Sequence, residues 1–405
     1  MTFRIALSGL NAASADLNVT ANNIANTATA GFKGSRAEFA EMFAVSSQGV
    51  SNTASGQGVR VSNIAQQFAQ GNVDFTDSSL DLAVSGQGFF ILSDAGASAY
   101  TRAGAFQVDR EGYVVNAQGM RLQVYEPSPS GGFNTGSLGD LQLVTNESPP
   151  AATSNVSMVA NLPANASPPA NGTFDALDPT SYNSATSLTV YDSLGAAHTG
   201  TLYFMKGVNP NEWTTQLYVD GAAVGTAQNL TYSNVGGLVT PASGELSFPA
   251  YTPTTGAAPI TLTLDVSKTT QYGSTFSVNA LTQDGYTTGR LIGMDIGATG
   301  IVQARFTNGR SIPLGQVALA NFANTQGLQQ LGDTNWAETY DSGQALRGQA
   351  GASGFGMLQS GALESSNVDI TEQLVNMITA QRNFQANAQM ISTSDQITQT
   401  IINIR

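Results

Sequence analysis

The 405-residue chain has no cysteine and a single histidine, His198. Disulfides, thiol catalysis and cysteine-based zinc sites are thereby excluded, and His198 has no second histidine with which to build a metal centre. Charge is also scarce, at 11% of residues where about 25% is usual. With 15 basic and 28 acidic side chains the net charge is −13, and no Lys/Arg cluster is present to neutralise phosphates, so a nucleic-acid partner is not expected. No apolar run approaches the ~18 residues of a membrane span. Residues 1–10, MTFRIALSGL, lack the apolar core of a cleaved secretory signal. Neither a span nor a Sec signal is expected.

What remains is the composition of a folded protein with an uncharged polar surface. Hydrophobic residues make up 41%, and Gly reaches 43 of 405, above the usual ~7%. The length suffices for two or three domains whose stability comes from packing.

The two ends differ from the middle. Phe3, Leu10, Leu17 and Ile24 recur every seven residues, with Ala6, Ala13 and Thr20 between them, the spacing of a narrow coiled-coil seam. Ile370, Met377, Phe384 and Ile391 repeat at the same interval, with Leu374 beside them and Ile397, Ile401 and Ile404 following after a register shift. Asp369, with Glu372 three residues later, predicts a helix start, and a helix from Ile370 to Ile404 spans ~50 Å.

Before Phe32 the only charged residues are Arg4 and Asp16; from Ile370 onward they are Glu372, Arg382, Asp395 and Arg405. Uncharged polar faces can be buried at the cost of a hydrogen bond per group, whereas a buried charge costs several kcal/mol, so these helices can be surrounded on all sides. Ala, Thr and the asparagines at 11, 18, 22, 23 and 26 hold a lone helix weakly. Both ends are expected to be loose in the free monomer and to order among neighbouring copies.

After Gly71 the helical period gives way to short alternating runs. GFFILSDAG, YTRAGAFQVDREGYVVNAQGMRLQVY and the Asn308-Gly309 hairpin predict strands and turns. A second β-rich block, opened by Pro149, Pro150, Pro163, Pro168 and Pro169, contains SLTVYDSLGAAHTGTLYFMK and NEWTTQLYVDG; like composition on both sides of it suggests an insertion. His198 reads as a surface or turn residue. Asp94, Asp109, Glu111 and Asp140 follow no calcium-loop spacing, and a carboxylate pair for glycoside hydrolysis is a matter of geometry. SGQG at 85–88 lacks the Lys and helix of a phosphate loop. No catalytic, cofactor or metal residue is expected.

Residues 8–39, SGLNAASADLNVTANNIANTATAGFKGSRAEF, resemble the N-terminal signature of bacterial flagellar rod and hook proteins, with Asn-Asn-Ile-Ala-Asn at 22–26 and Gly-Phe-Lys at 31–33. Residues 361–405 resemble the matching C-terminal end, where Leu-Glu, Ser-Asn-Val-Asp and Ala-Gln-Arg-Asn-Phe recur. The ends are shared by rod and hook members. The middle, VYDSLGAAHTGTLYFMK at 190–206 and QVALANFANTQGLQQLGDTNWAET at 316–339, resembles the hook branch, least so at 148–179 and 221–258.

The resemblance implies a mixed fold: an α-helical coiled-coil terminal domain formed by both chain ends (1–70 with an extended linker, and 360–405), an inner β domain (71–145 and 287–359) and an outer β domain inserted into it (146–286). It implies a non-enzymatic subunit of the extracellular flagellum, exported by the flagellar type III apparatus without signal cleavage. Such subunits polymerise into a curved hollow tube that joins rod to filament and transmits torque as a universal joint. The implied partners are copies of the chain itself, the rod, the hook cap, the hook-filament junction proteins and the export apparatus.

The residues expected at the polymer interface are Phe3, Leu10, Leu17, Ile24, Asn22, Asn26, Phe32, Ile370, Leu374, Met377, Phe384, Ile391, Ile397, Ile401 and Ile404. Asn22 to Gly34 is expected where the helix leaves the tube, with Phe32 anchored in a neighbour and Lys33 in water. A distal rod or hook-associated protein is the alternative within the family. A secreted β-rich adhesin explains the middle of the chain but not its paired heptad ends.

Overall fold

The computed structural model describes residues 2–42, 56–143 and 147–403. Ile404 lies outside them. The chain is β-rich with one long helix at each end, α1 (Thr2–Ala25) and α2 (Ile370–Asn403). It divides into two compact units: Met1–Thr145 with Gly293–Arg305 and Ser311–Arg405, and Asn146–Ile292 with Phe306–Arg310.

In the first unit the strand Ser311–Asn321 organises the sheet. It pairs antiparallel with Ile301–Phe306, Arg121–Tyr125, Phe89–Asp94 and Leu346–Gln349 along successive parts of its length. Phe89–Asp94 turns back into Ala97–Thr101, which pairs with Asn335–Ala337. Side chains alternate across a strand, and here both faces are covered. Phe90, Leu92, Val317 and Leu319 pack on one side with Leu82, Phe106 and Leu122. Phe89, Ile91, Ala318 and Ala320 pack on the other with Tyr100, Phe322 and Trp336. Burial on both faces explains why GFFIL and QVALANF read as continuous apolar runs.

The second unit has two sheets around one core. Ser184–Tyr191, Ala197–Lys206, Glu212–Val219, Ala222–Tyr232 and Leu238–Thr240 form an antiparallel meander. Asn155–Pro163 is the central strand of the other sheet, parallel to Thr263–Asp265 and Thr270–Tyr272 and antiparallel to Ser277–Gln283. Val190, Leu202, Phe204, Trp213 and Leu217 meet Met158, Leu162 and Leu264 between them. The turn at Asn308-Gly309 forms as its residues predict: Gly309 takes φ 79° and Phe306 N–H donates to Arg310 O at 2.9 Å.

Two expectations need correction here. The segment before residue 70 holds more than a helix and an extended linker, because Ser35–Glu41 and Val59–Gln66 pair as an antiparallel ribbon against which α1 packs. His198 is not a surface or turn residue: it is 6% exposed and lies within Ala197–Lys206. Strand alternation turns His198, Gly200, Leu202 and Phe204 inward together.

Candidate assembly site

The two terminal helices lie along each other. Asn23 Nδ2 donates to Gln373 Oε1 at 3.2 Å, and Gly9 approaches Asn387 so closely that a Cβ on Gly9 would lie 2.5 Å from its Oδ1. Going back along α1 from Asn23 to Gly9 matches going forward along α2 from Gln373 to Asn387 by the same number of residues, so the helices run antiparallel. On α2 the stripe of at least half-covered residues is Gln373, Met377, Ala380, Phe384, Asn387, Ile391 and Ser394, alternating four and three apart, with Ala388 beside it. On α1, Ala6, Ala13 and Thr20 are buried, Leu10, Leu17 and Ile24 are half-buried and Phe3 is exposed. The small residues occupy the tightest approach.

The ends are therefore not left without partners inside one chain, as the weak helix propensity alone suggested. What stays uncovered is a second set of apolar side chains. Ile370 (51% exposed), Leu374 (47%) and Ile397 (56%) lie outside the covered stripe, with Val375 and Ile378 near Leu374 and Met390 near Ile397 also exposed. At the observed register Thr2 stands opposite Ser394, so α2 continues beyond α1, and residues 395–400 are all exposed. Ile401 lies on this extension.

Where α1 ends, asparagines replace the helical hydrogen-bond pattern with side-chain bonds. Asn26 Nδ2 donates to Asn22 O at 2.9 Å and Thr29 Oγ1 donates to Asn26 Oδ1 at 3.1 Å. The buried Asn23 amide accepts from Ser35 N–H at 2.9 Å and donates to Ser35 O at 2.7 Å, as a strand neighbour would. Gly31 N–H donates to Glu364 O at 2.7 Å, and Gly34 N–H to Asn367 Oδ1 at 2.8 Å. Asp369 caps α2 through Oδ1, which accepts from Thr371 and Glu372 N–H.

Lys33 corrects the expectation of a hydrated side chain. It is 1% exposed, and its Nζ donates to Glu364 Oε1 at 2.5 Å and to Ala69 O at 2.8 Å. Glu364, fully buried, also accepts from Gly71 N–H at 2.9 Å and from Arg102 at 3.2 Å. Arg102 reaches on to Gly86 O at 2.8 Å and lies over the Phe89 ring. Burial pulls the Lys33 and Arg102 pKa values down, and the Glu364 carboxylate opposes the fall in both. One anion thus compensates two buried cations, and it joins the exit of α1, the chain after the ribbon, the β core and the entry to α2.

The sequence reading missed Asn23, Arg102, Glu364, Asn367 and Gln373. Glu364 and Asn367 were signalled only by the Leu-Glu and Ser-Asn-Val-Asp elements quoted for the C-terminal end, and Asn23 only by the Asn-Asn-Ile-Ala-Asn element; nothing in one dimension pairs residue 33 with residue 364. Asn22, Asn26 and Phe32 do converge, lining an open cleft of about 600 Å³ with Gln66, Gln330 and Trp336. Among the described residues no group of three or more His, Asp or Glu is gathered as a metal site.

Comparison with known proteins agrees with this architecture. Family models match at residues 3–33 (flagella basal body rod protein), 83–164 (flagellar hook protein FlgE/F/G D1 domain), 161–286 (flagellar basal body protein FlaE D2 domain) and 359–404 (flagellar basal body rod FlgEFG protein C-terminal). The flagellar hook protein FlgE of Salmonella typhimurium is 40% identical over 426 residues, covering 100% of both chains. That of Escherichia coli is 40% identical over 418 residues with the same coverage, and that of Borreliella burgdorferi 34% identical with 98% of each chain covered. The crystal structure of Helicobacter pylori flagellar hook protein FlgE2 shares the fold with a TM-score of 0.55, at 14% identity over 72% of this chain and 100% of that one.

Proposed function

The chain belongs to the flagellar hook protein family, and from that premise we propose how it builds the structure to which such subunits belong. It is a structural subunit of the flagellar hook. Our reading is that copies polymerise into a curved hollow tube, with the terminal helices α1 (Thr2–Ala25) and α2 (Ile370–Asn403) forming a coiled-coil inner wall. An inner β domain (71–145 and 287–359) and an inserted outer β domain (146–286) surround it.

The observation that carries this reading is the second apolar set on α2. Ile370, Leu374 and Ile397 are left in water by a chain that covers the other stripe of the same helix. Exposed apolar side chains of this size, set along the helix outside the covered stripe, mark a contact surface. A tube of identical copies needs heterologous contacts, each copy offering two unlike surfaces. The extension of α2 beyond Ser394 supplies one, and the exposed flank of the helix pair the other. The scarcity of charge on both helices lets them be enclosed by neighbours and line a channel without stranded ions.

The amide-lined cleft at Asn22, Asn26 and Phe32 is a further contact for a neighbouring copy. Outer domains that meet through small polar interfaces allow the tube to bend while the helical wall stays whole, as a torque-transmitting joint requires. Rod, hook cap, hook-filament junction proteins and the type III export apparatus are the proposed partners. Matches that span hook relatives from end to end favour hook over rod.

The test is polymerisation of purified protein carrying Leu374→Asp or Ile397→Asp. Both positions are solvent-exposed in the single chain, so the circular dichroism spectrum and urea midpoint stay as in the parent, while tubes are absent by electron microscopy. Normal tubes from both variants refute the assignment.

A further inference from the structure

His198 is buried in the second unit with an acid on each side of its ring. Nδ1 lies 2.6 Å from Asp220 Oδ2 and Nε2 lies 3.3 Å from Asp192 Oδ2. A neutral imidazole has one N–H and one lone pair, so in either tautomer a lone pair would point at a carboxylate; only the imidazolium donates on both sides. The two acids are themselves fixed. Asp192 Oδ1 accepts from Leu194 and Ala196 N–H at 2.9 and 2.8 Å, and Asp220 Oδ1 accepts from Thr199 N–H at 2.9 Å.

The remaining oxygen of each acid faces residues 251–260. Thr255 Oγ1 donates to Asp192 Oδ2 at 2.7 Å, and the Tyr251 hydroxyl donates to Asp220 Oδ2 at 3.4 Å. The same excursion is closed at its base by paired hydrogen bonds between Tyr251 and Ile260, and its tip touches the Asp192 turn again through Ala258 N–H to Ser193 Oγ, 2.9 Å. Both acids therefore touch the ring on one side and this excursion on the other.

We propose that His198 is held as an imidazolium at neutral pH and acts as an ionic clasp. It fastens residues 251–260 to the turns at Asp192 and Asp220, and alkaline loss of its one proton loosens that excursion while the meander beneath stays folded.

The groups facing the ring are Asp192 from the turn after Ser184–Tyr191, Asp220 from the turn after Glu212–Val219, and Tyr251, whose ring centroid is 6.0 Å away. Burial alone would lower the histidine pKa, but the hydrogen bonds and charges of Asp220 and Asp192 outweigh it and raise it. Burial likewise opposes ionisation of Asp192, and the bonds from Thr255, Ala196, His198 and Leu194 overcome this and bring it to about 2. A histidine raised in the folded state stabilises fully below its unfolded pKa and ceases to do so as pH rises through the folded value. The clasp therefore weakens on the alkaline side.

Because the chain has one histidine, its ring can be titrated without ambiguity in the full-length protein by nitrogen-15 NMR. Both ring nitrogens are expected to be protonated at neutral pH, with the midpoint raised above the ordinary 6.5 by the two flanking carboxylates. Asp220→Asn, which keeps a residue tolerant of the positive φ of 49° there, should lower the midpoint, because it removes one of the two carboxylates that raise it. Amide protection factors at residues 251–260 should fall through the same titration while those of Ala197–Lys206 hold. A midpoint at or below 6.5, or protection at 251–260 that ignores the histidine titration, overturns the proposal.

Discussion

Replacing Glu364 by Gln removes the one anion of the buried cluster and leaves its two cations in place. The amide retains a single acceptor oxygen. If that oxygen serves Lys33 and Gly71, its NH₂ group faces the Arg102 guanidinium, donor against donor; if it faces Arg102, the Lys33 ammonium and Gly71 N–H lose their partner. Removing one partner of a buried ion pair costs about 3–5 kcal/mol, because the remaining charge stays desolvated. Lys33→Met is expected to cost less, since it leaves Glu364 with Arg102 as one cation and one anion and fills the space of the lysine stem. The order, Glu364→Gln worse than Lys33→Met, follows from the two-to-one charge count. Urea unfolding of the full chain, followed by hydrogen exchange in the first unit, measures both losses. A cost below about 1 kcal/mol for Glu364→Gln, as for an exposed pair, or a reversed order, refutes the reasoning.

Gly31 has φ 69°, and a Cβ there would lie within van der Waals overlap of the Ala103 backbone. Gly31→Ala should therefore cost at least ~1 kcal/mol from conformation alone, with the clash added, read as a lower urea midpoint of the first unit. Amides of α2 beyond Ser394, which have no α1 residue opposite them, should exchange faster in the monomer than those from Gln373 to Ile391, and should gain protection in polymers; equal protection in the monomer would remove the case for an unpartnered extension. The Asp192 carboxylate should remain ionised at pH 3, because its pKa of about 2 lies below the ordinary 3.8. Its contribution to stability is present above the ordinary value and is lost as pH falls through about 2, which carboxyl-carbon NMR shifts would report.

Local pattern and three-dimensional meeting divide what could be read in advance. Both helices, the Asp369 cap, the Asn308-Gly309 turn and strands such as Phe89–Asp94 and Ala197–Lys206 follow from periodicity and turn chemistry, because each depends on neighbours a few residues away. The ribbon of Ser35–Glu41 and Val59–Gln66 escaped notice, since its partners lack regular alternation and its support comes from α1.

Lys33 and His198 show the limit most directly. A lysine beside glycines reads as solvated, and a lone histidine between turns reads as superficial, because the cost of burying either is decided by what compensates it. The compensating groups are Glu364, 331 residues along the chain from Lys33, and Asp192 and Asp220, set on two separate turns around His198. By itself the sequence determined the helical ends, their lack of charge and the strand-rich middle, all properties of neighbouring residues. Only the tertiary structure decided which charges are buried, which face of α2 is covered by α1 and which remains bare, because these depend on contacts between segments that the order of residues does not specify.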